Sequence, residues 1–96
     1  MTCTLRKKSD VENVVLQTVR NYLHRTDLKL GTNLSDPPPD GAGLGGAAML
    51  GLCGRVWQTV KDHGCEPKST LIVDCTGSDT IQDIADAVAT SLGVAS

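Results

Sequence analysis

The segment Met49–Val60, MLGLCGRVWQTV, decides the fold class. Its apolar residues recur at intervals of three and four, which places them on one face of an α-helix. They are Met49, Leu52, Cys53, Val56, Trp57 and Val60. The pattern predicts a helix over residues 45–62, ended by Gly64. We expect Trp57 to be largely buried because it shares the apolar face.

Two further helices are predicted by the same periodicity, over residues 9–24 and 79–92. Ser9 and Glu12 have the spacing of a capping box at the start of the first. Ser78 or Asp79 is expected to cap the last, and Gly93 to close it. The apolar run 70–74 is too short for periodicity to distinguish a buried strand from a packed turn.

A long loop separates the first two helices. It includes Pro37–Pro39, which exclude a helix there, and a glycine-rich stretch, Gly41–Gly46. Because glycine weakens helix formation, we expect residues 31–46 to be mobile and the ordered second helix to begin near Ala47. The alternative is a tightly packed turn in which the glycines permit close backbone contact.

Composition limits the classes of protein that fit. The chain has 96 residues, enough for one domain spanning 1–96, and only 2% are aromatic, so the core is expected to be aliphatic. A net charge of −2 excludes a nucleic-acid binder held mainly by phosphate contacts. No apolar run approaches the length of a membrane span. The four cysteines lack paired spacing, which favours free thiols in the cytoplasm over two disulfides.

Three motifs suggest chemistry at first sight. Gly41–Gly46 matches GxGxxG, but no strand precedes it as a dinucleotide site requires. Asp74 follows an apolar run like a phosphorylated aspartate, yet the chain is too short for the sheet that such enzymes need. Cys53, His63, Cys65 and Cys75 lack the spacing of a zinc site. We therefore expect no catalytic residues, no metal and no enzyme activity.

The order of the predicted elements resembles an acyl carrier protein or the carrier domain of a polyketide synthase. The best local matches are Glu66–Asp74, EPKSTLIVD, and Thr80–Val88, TIQDIADAV, within a resemblance that covers about residues 9–92. It implies an all-α, carrier-protein-like helical bundle with a long first loop. The alternative is a small α/β regulatory module with Thr2–Arg6 and Thr70–Asp74 as strands.

The chain departs from the carrier pattern where the family carries its chemistry. Carriers attach phosphopantetheine to the serine of an Asp-Ser-Leu motif that opens the second helix. The corresponding stretch here, Gly43–Leu50, is GLGGAAML and has no hydroxyl. The resemblance thus implies a degenerate carrier that is not loaded and holds no cofactor. The alternative is a functional carrier modified at an atypical serine, of which Ser35 is the nearest upstream.

Since neither loading nor catalysis is expected, the function that remains is contact with other proteins. Expected partners are the enzymes or neighbouring domains of a fatty-acid or polyketide-type biosynthetic system, with the chain itself a cytoplasmic monomer that binds neither nucleic acid nor membrane. The candidate contact residues lie around the start of the second helix: Gly43, Leu44, Gly46 and Met49.

Overall fold

The computed structural model describes residues 3–38 and 41–94, and this part of the chain forms four helices. They are α1 (Lys8–Leu23), α2 (Gly46–Asp62), α3 (Leu71–Thr76) and α4 (Ile81–Leu92). Each helix packs against its neighbour in the chain, and α4 returns to pack against α1, so the four close into a ring. The predicted all-α bundle is confirmed.

The α/β alternative is wrong for the described residues. Residues 3–6 form no strand, and the run 70–74 becomes α3, which buries Leu71 and Cys75 on one face at helical spacing. Residue Thr2 lies outside the described part of the chain. Residues 3–38 and 41–94 contain only two isolated bridges as β-structure, both at Asn33.

Helix α1 begins one residue before the predicted start, and its predicted capping box is wrong. The Asp10 carboxylate, not Ser9, makes the local cap, since it accepts a hydrogen bond from the Lys7 backbone N–H at 3.3 Å. Glu12 instead accepts a hydrogen bond from the Gln82 side chain of α4 at 2.8 Å. The Glu12 carboxylate therefore serves tertiary packing, although the local pattern predicted that it would cap α1.

Helix α4 is capped by Thr80 rather than by Ser78 or Asp79. The Thr80 hydroxyl accepts a hydrogen bond from the Asp83 backbone N–H, and the Asp83 carboxylate accepts one from the Thr80 N–H at 3.1 Å. This reciprocal pair satisfies two backbone donors that would otherwise lack partners. Gly93 closes the helix as predicted, with a φ of 70°.

The core is aliphatic, as expected. Its fully buried side chains are Val11, Val15, Val19, Leu28, Leu34, Leu52, Val56, Val60, Leu71, Ile81, Ile84 and Val88. Trp57 is not among them; it is half-buried, and the Lys61 ammonium lies 4.6 Å from the ring centroid. The expectation that Trp57 is largely buried is wrong because the indole lies at the edge of the apolar stripe, where a lysine covers it.

The expectation of free thiols is also wrong. Cys3 pairs with Cys65 and Cys53 pairs with Cys75, which leaves no free cysteine among the described residues. The partners are 62 and 22 residues apart in sequence. Only the closed ring of helices brings them together, so spacing along the chain does not reveal the pairing.

The loop between α1 and α2 is a packed structure. Leu28 and Leu34 anchor it in the core, each 1% exposed. The Leu34 N–H donates to the Asp79 carbonyl, and the Leu44 N–H donates to the Leu34 carbonyl, both at 2.8 Å. These contacts favour the packed-turn alternative over the predicted mobility of residues 31–46. Within that range, Pro39 and Asp40 lie outside the described residues.

Close backbone approach explains one glycine of this loop. Gly41 is buried, and a Cβ placed there would overlap the Asp36 carbonyl. Its carbonyl also accepts a hydrogen bond from Arg25 Nη1 at 2.7 Å, which ties the end of the loop to the residues that follow α1. The glycine-rich stretch thus fits a compact turn. Helix α2 then begins at Gly46, not at Ala47.

Candidate functional site: the start of helix α2

Helix α2 presents a bare N-terminus to solvent. Gly45 is the N-cap residue, with φ −88°, and no side chain caps the helix. Residues 45–48 are all exposed, and a Cβ built on Gly45 or Gly46 would meet no atom within 4 Å. The first turn carries no acidic residue. Its unpaired backbone N–H groups therefore face water without a neutralising group of their own.

The structure places the four predicted contact residues differently. Gly46 is exposed at the first position of α2, and Gly43 is exposed with a φ of 66°, where a Cβ would lie 2.9 Å from Cδ of Pro38. Leu44 is half-buried and packs against the core. Met49 is only 7% exposed. Met49 is therefore a core residue, and its side chain is not available to a partner.

Two large apolar side chains, one on α2 and one on α3, are exposed and were not predicted as contacts. Leu50 of α2 is 57% exposed, and Val73 of α3 is 70% exposed. The signal for Leu50 was present in the sequence, because it lies outside the apolar stripe that includes Met49. Val73 could not be identified in this way, since residues 70–74 had no decided secondary structure.

The first turns of α2 contain no hydroxyl-bearing residue. The chain has no serine, threonine or tyrosine from Asp36 to Gln58, and Thr59 in the last turns of α2 donates its hydroxyl to the Arg55 carbonyl at 2.8 Å. Ser35 is exposed, but it lies in the loop. Its hydroxyl and its backbone N–H both contact Asn33 Oδ1, at 3.0 and 2.9 Å. Ser35 thus belongs to an asparagine-centred turn and not to a helix start.

Arg25 determines the electrostatics beside the loop. Its Nη2 lies 2.8 Å from Asp27 Oδ2 in an ion pair. The hydrogen bond from Arg25 lowers the pKa of Asp27 below its usual range. With Nη1 bonded to the Gly41 carbonyl, this guanidinium links the loop and the carboxylate at once. It is a structural clamp beside the start of α2.

The motifs that suggested enzyme chemistry lie in other settings. Gly41–Gly46 follows a loop, with no strand before it in the described residues, and Asp74 is exposed in α3. Cys53 and Cys75 are bonded to each other. Within residues 3–38 and 41–94, no three His, Cys, Asp or Glu side chains converge where they could hold a metal ion. No helix in the same ranges is long and apolar enough to cross a bilayer.

Comparison with known proteins adds no relative. No protein-family model matches the sequence. A search of curated proteins and a search of solved structures each returned no significant match.

Proposed function

We propose that this chain is an acyl-carrier-like domain that is not loaded with phosphopantetheine and has no catalytic activity of its own. It acts by protein contact, as a monomeric module beside the enzymes or domains of a fatty-acid or polyketide-type system. The observation that carries the proposal is the start of α2. A long packed loop delivers the helix to the surface, as the carrier resemblance implies, but the exposed first turn has no hydroxyl.

Exposed apolar side chains on α2 and α3 favour protein contact. Leu50 lies three residues before Cys53, and Val73 lies two residues before Cys75, so the Cys53–Cys75 disulfide holds together the two helices that carry them. Asp74 and Asp79 are exposed just beyond Val73. Apolar side chains beside carboxylates suit a partner whose own surface combines apolar and basic residues.

Loading is tested by intact mass after incubation with a phosphopantetheinyl transferase and coenzyme A. We expect no mass gain for the natural chain, because the transferase has no acceptor at the helix start. The triple variant G45D/G46S/A47L restores Asp-Ser-Leu across the start of α2. All three positions are exposed, and aspartate is a favourable N-cap residue, so the variant should fold. We expect it to gain one phosphopantetheine.

The natural chain and the triple variant together distinguish the possible outcomes. Modification of the natural chain at Ser35 would overturn the proposal and establish the atypical carrier instead; the variant S35A confirms that assignment by losing the added mass. If the triple variant folds but is not modified, the resemblance to a carrier does not extend to recognition by the transferase, and the carrier assignment fails.

The disulfides bear on where the domain works. Closed disulfides are typical of oxidising compartments, whereas cytoplasmic thiols are kept reduced. With Cys3–Cys65 and Cys53–Cys75 both paired, we infer that the folded chain functions under oxidising conditions, against the expectation of a cytoplasmic protein. Alkylation of the protein with iodoacetamide at the moment of extraction tests this inference, because the reagent labels only free thiols. No alkylation before reduction supports the inference, and alkylation of all four cysteines contradicts it.

A further inference from the structure

Helices α1 and α2 leave an open groove between them, of about 470 Å³. One face of α1 and one face of α2 line it at helical spacing. The lining includes Val14, Gln17, Asn21 and Tyr22 of α1, Arg55 of α2, and His63. Most of these side chains carry a polar group, yet the larger part of the lining surface is apolar, and Val14 and Tyr22 contribute to it. A volume of this size is in the range that holds a small organic molecule.

The charges of the groove have one sign. No lining residue is acidic, although the whole chain has a net charge of −2. Arg55 supplies a cation on the α2 side, and in the described part of the chain its side chain forms no ion pair. The groove is thus a basic region on an acidic protein, which favours an anionic ligand.

The amides of α1 add hydrogen-bond donors. Within residues 3–38 and 41–94, the side chains of Asn13, Gln17 and Asn21 make no hydrogen bond to the protein. Gln17 and Asn21 also line an adjoining hollow at the C-terminal end of α1, where Arg20 and Arg25 are held by backbone carbonyls. The two hollows therefore share donors, and Arg20 adds a cation to the second, whereas the charge of Arg25 is paired with Asp27.

His63 is held in place at the other end of the groove. Its Nδ1 lies 2.9 Å from the Thr4 hydroxyl, and its carbonyl accepts a hydrogen bond from the Thr4 N–H at 3.1 Å. The Cys3–Cys65 disulfide closes beside this contact, one residue before Thr4 and two residues after His63. Because Nδ1 is occupied, Nε2 is the ring nitrogen left for a ligand.

We propose that the α1–α2 groove binds a small oxyanion-bearing molecule, one with a carboxylate or phosphate group. Arg55 pairs with the oxyanion, the amides of Gln17 and Asn21 donate further hydrogen bonds, and Val14 with Tyr22 packs against the carbon part of the ligand. This binding is separate from the proposed contact at the start of α2 and does not depend on it.

The test is a titration of the full oxidised chain, followed by ¹H–¹⁵N NMR, with citrate in one arm and inorganic phosphate in the other. Sodium chloride keeps the ionic strength constant. We expect saturable chemical-shift changes, confined to residues that line the groove, in the citrate or the phosphate titration, whichever oxyanion binds. The variant R55Q should weaken binding about fivefold, the upper range for an exposed ion pair. The variant N21A should weaken it by a smaller factor.

The matched control is R6Q, which removes the same charge from an exposed residue outside the groove. It should leave the affinity unchanged. Equal weakening by R6Q and R55Q would show general charge attraction and overturn the site. Shifts scattered over the surface, or no saturable shift with either citrate or phosphate, would also overturn it, and neither result would affect the loading experiment.

Discussion

The two disulfides join very different regions of the same small molecule. Cys3–Cys65 ties an N-terminal segment without helix to the chain just beyond α2, across 62 residues of sequence. Cys53–Cys75 joins α2 to α3 across 22 residues, and both of its cysteines have 0% exposure. Cys3, in contrast, is partly exposed, although its partner Cys65 is only 3% exposed.

Loop length and burial rank these bonds in opposite orders. Closing the longer loop restricts the unfolded chain more, by about 4 kcal/mol against about 3 kcal/mol for the shorter loop. Burial favours the shorter one, because its sulfur atoms also fill the core between α2 and α3. The Cys3–Cys65 bond therefore acts mainly on the unfolded chain, whereas the Cys53–Cys75 bond also contributes to native packing.

Removal of the buried disulfide should have the largest effect. We expect C53A/C75A to lower the free energy of unfolding by about 5 kcal/mol, of which about 3 is loop closure and about 2 is lost packing. Urea denaturation followed by far-UV circular dichroism measures the change. A smaller loss than that of C3A/C65A would mean that loop length alone sets the ranking.

Removal of the N-terminal disulfide should cost somewhat less. We expect C3A/C65A to lower the free energy of unfolding by about 4 kcal/mol, from the unfolded chain, while the helices keep their packing. The NMR spectrum of the folded variant should change only around residues 3–7 and 63–65. Widespread changes in α3 or α4 would show that this bond also determines the core.

Leu5 tests whether an apolar anchor works together with the N-terminal disulfide. It is 4% exposed, so Leu5→Ala should cost about 2–3 kcal/mol in the natural chain. In the C3A/C65A background the cost should fall, because the segment is then free to leave the core. A double-mutant cycle gives this coupling. Strictly additive losses would show that the anchor and the bond act independently.

The ion pair between α1 and α4 is the non-covalent comparison for the two disulfides, and its removal should have the smallest effect on stability. Lys8 Nζ lies 2.8 Å from Asp86 Oδ1, and the hydrogen bond from Lys8 lowers the pKa of Asp86. A carboxylate whose pKa is lower in the folded state than in the unfolded state stabilises the fold at pH values above its unfolded-state pKa. This stabilisation is lost as the pH falls through the folded-state pKa. The urea midpoint of D86N should therefore lie slightly below that of the natural chain at neutral pH. The two midpoints should converge in acid, and a constant difference down to low pH would contradict this.

Long periodic segments were predictable, and their ends were less so. The bounds of α2 differ from the prediction by one residue, because the apolar face of Met49–Val60 determines both the helix and its burial. At α1 the local capping pattern failed, since Glu12 bonds to α4. Local rules see only neighbours in sequence, and tertiary contacts override them.

The site was only partly accessible from sequence. The absence of a hydroxyl at the start of α2 is a sequence fact, and the structure adds that this turn is exposed. The burial of Met49 and the exposure of Leu50 follow from the apolar stripe of α2, whereas the exposure of Val73 depends on how α3 packs, which six residues do not encode locally. The groove and both disulfides arise from helix arrangement and have no pattern along the chain.

The loop before α2 also sets the behaviour of α4, at the other end of the chain. The N–H of Ile81 donates to the Thr32 carbonyl at 3.3 Å, and that of Gln82 donates to the Leu30 carbonyl at 2.7 Å. The first amides of α4 are thus protected by loop carbonyls and not by their own helix. Local opening of the loop exposes them to solvent. Hydrogen–deuterium exchange of the Leu34, Ile81 and Gln82 amides, corrected for their intrinsic rates, should therefore give one common opening free energy, as for a single cooperative unit that spans half the sequence.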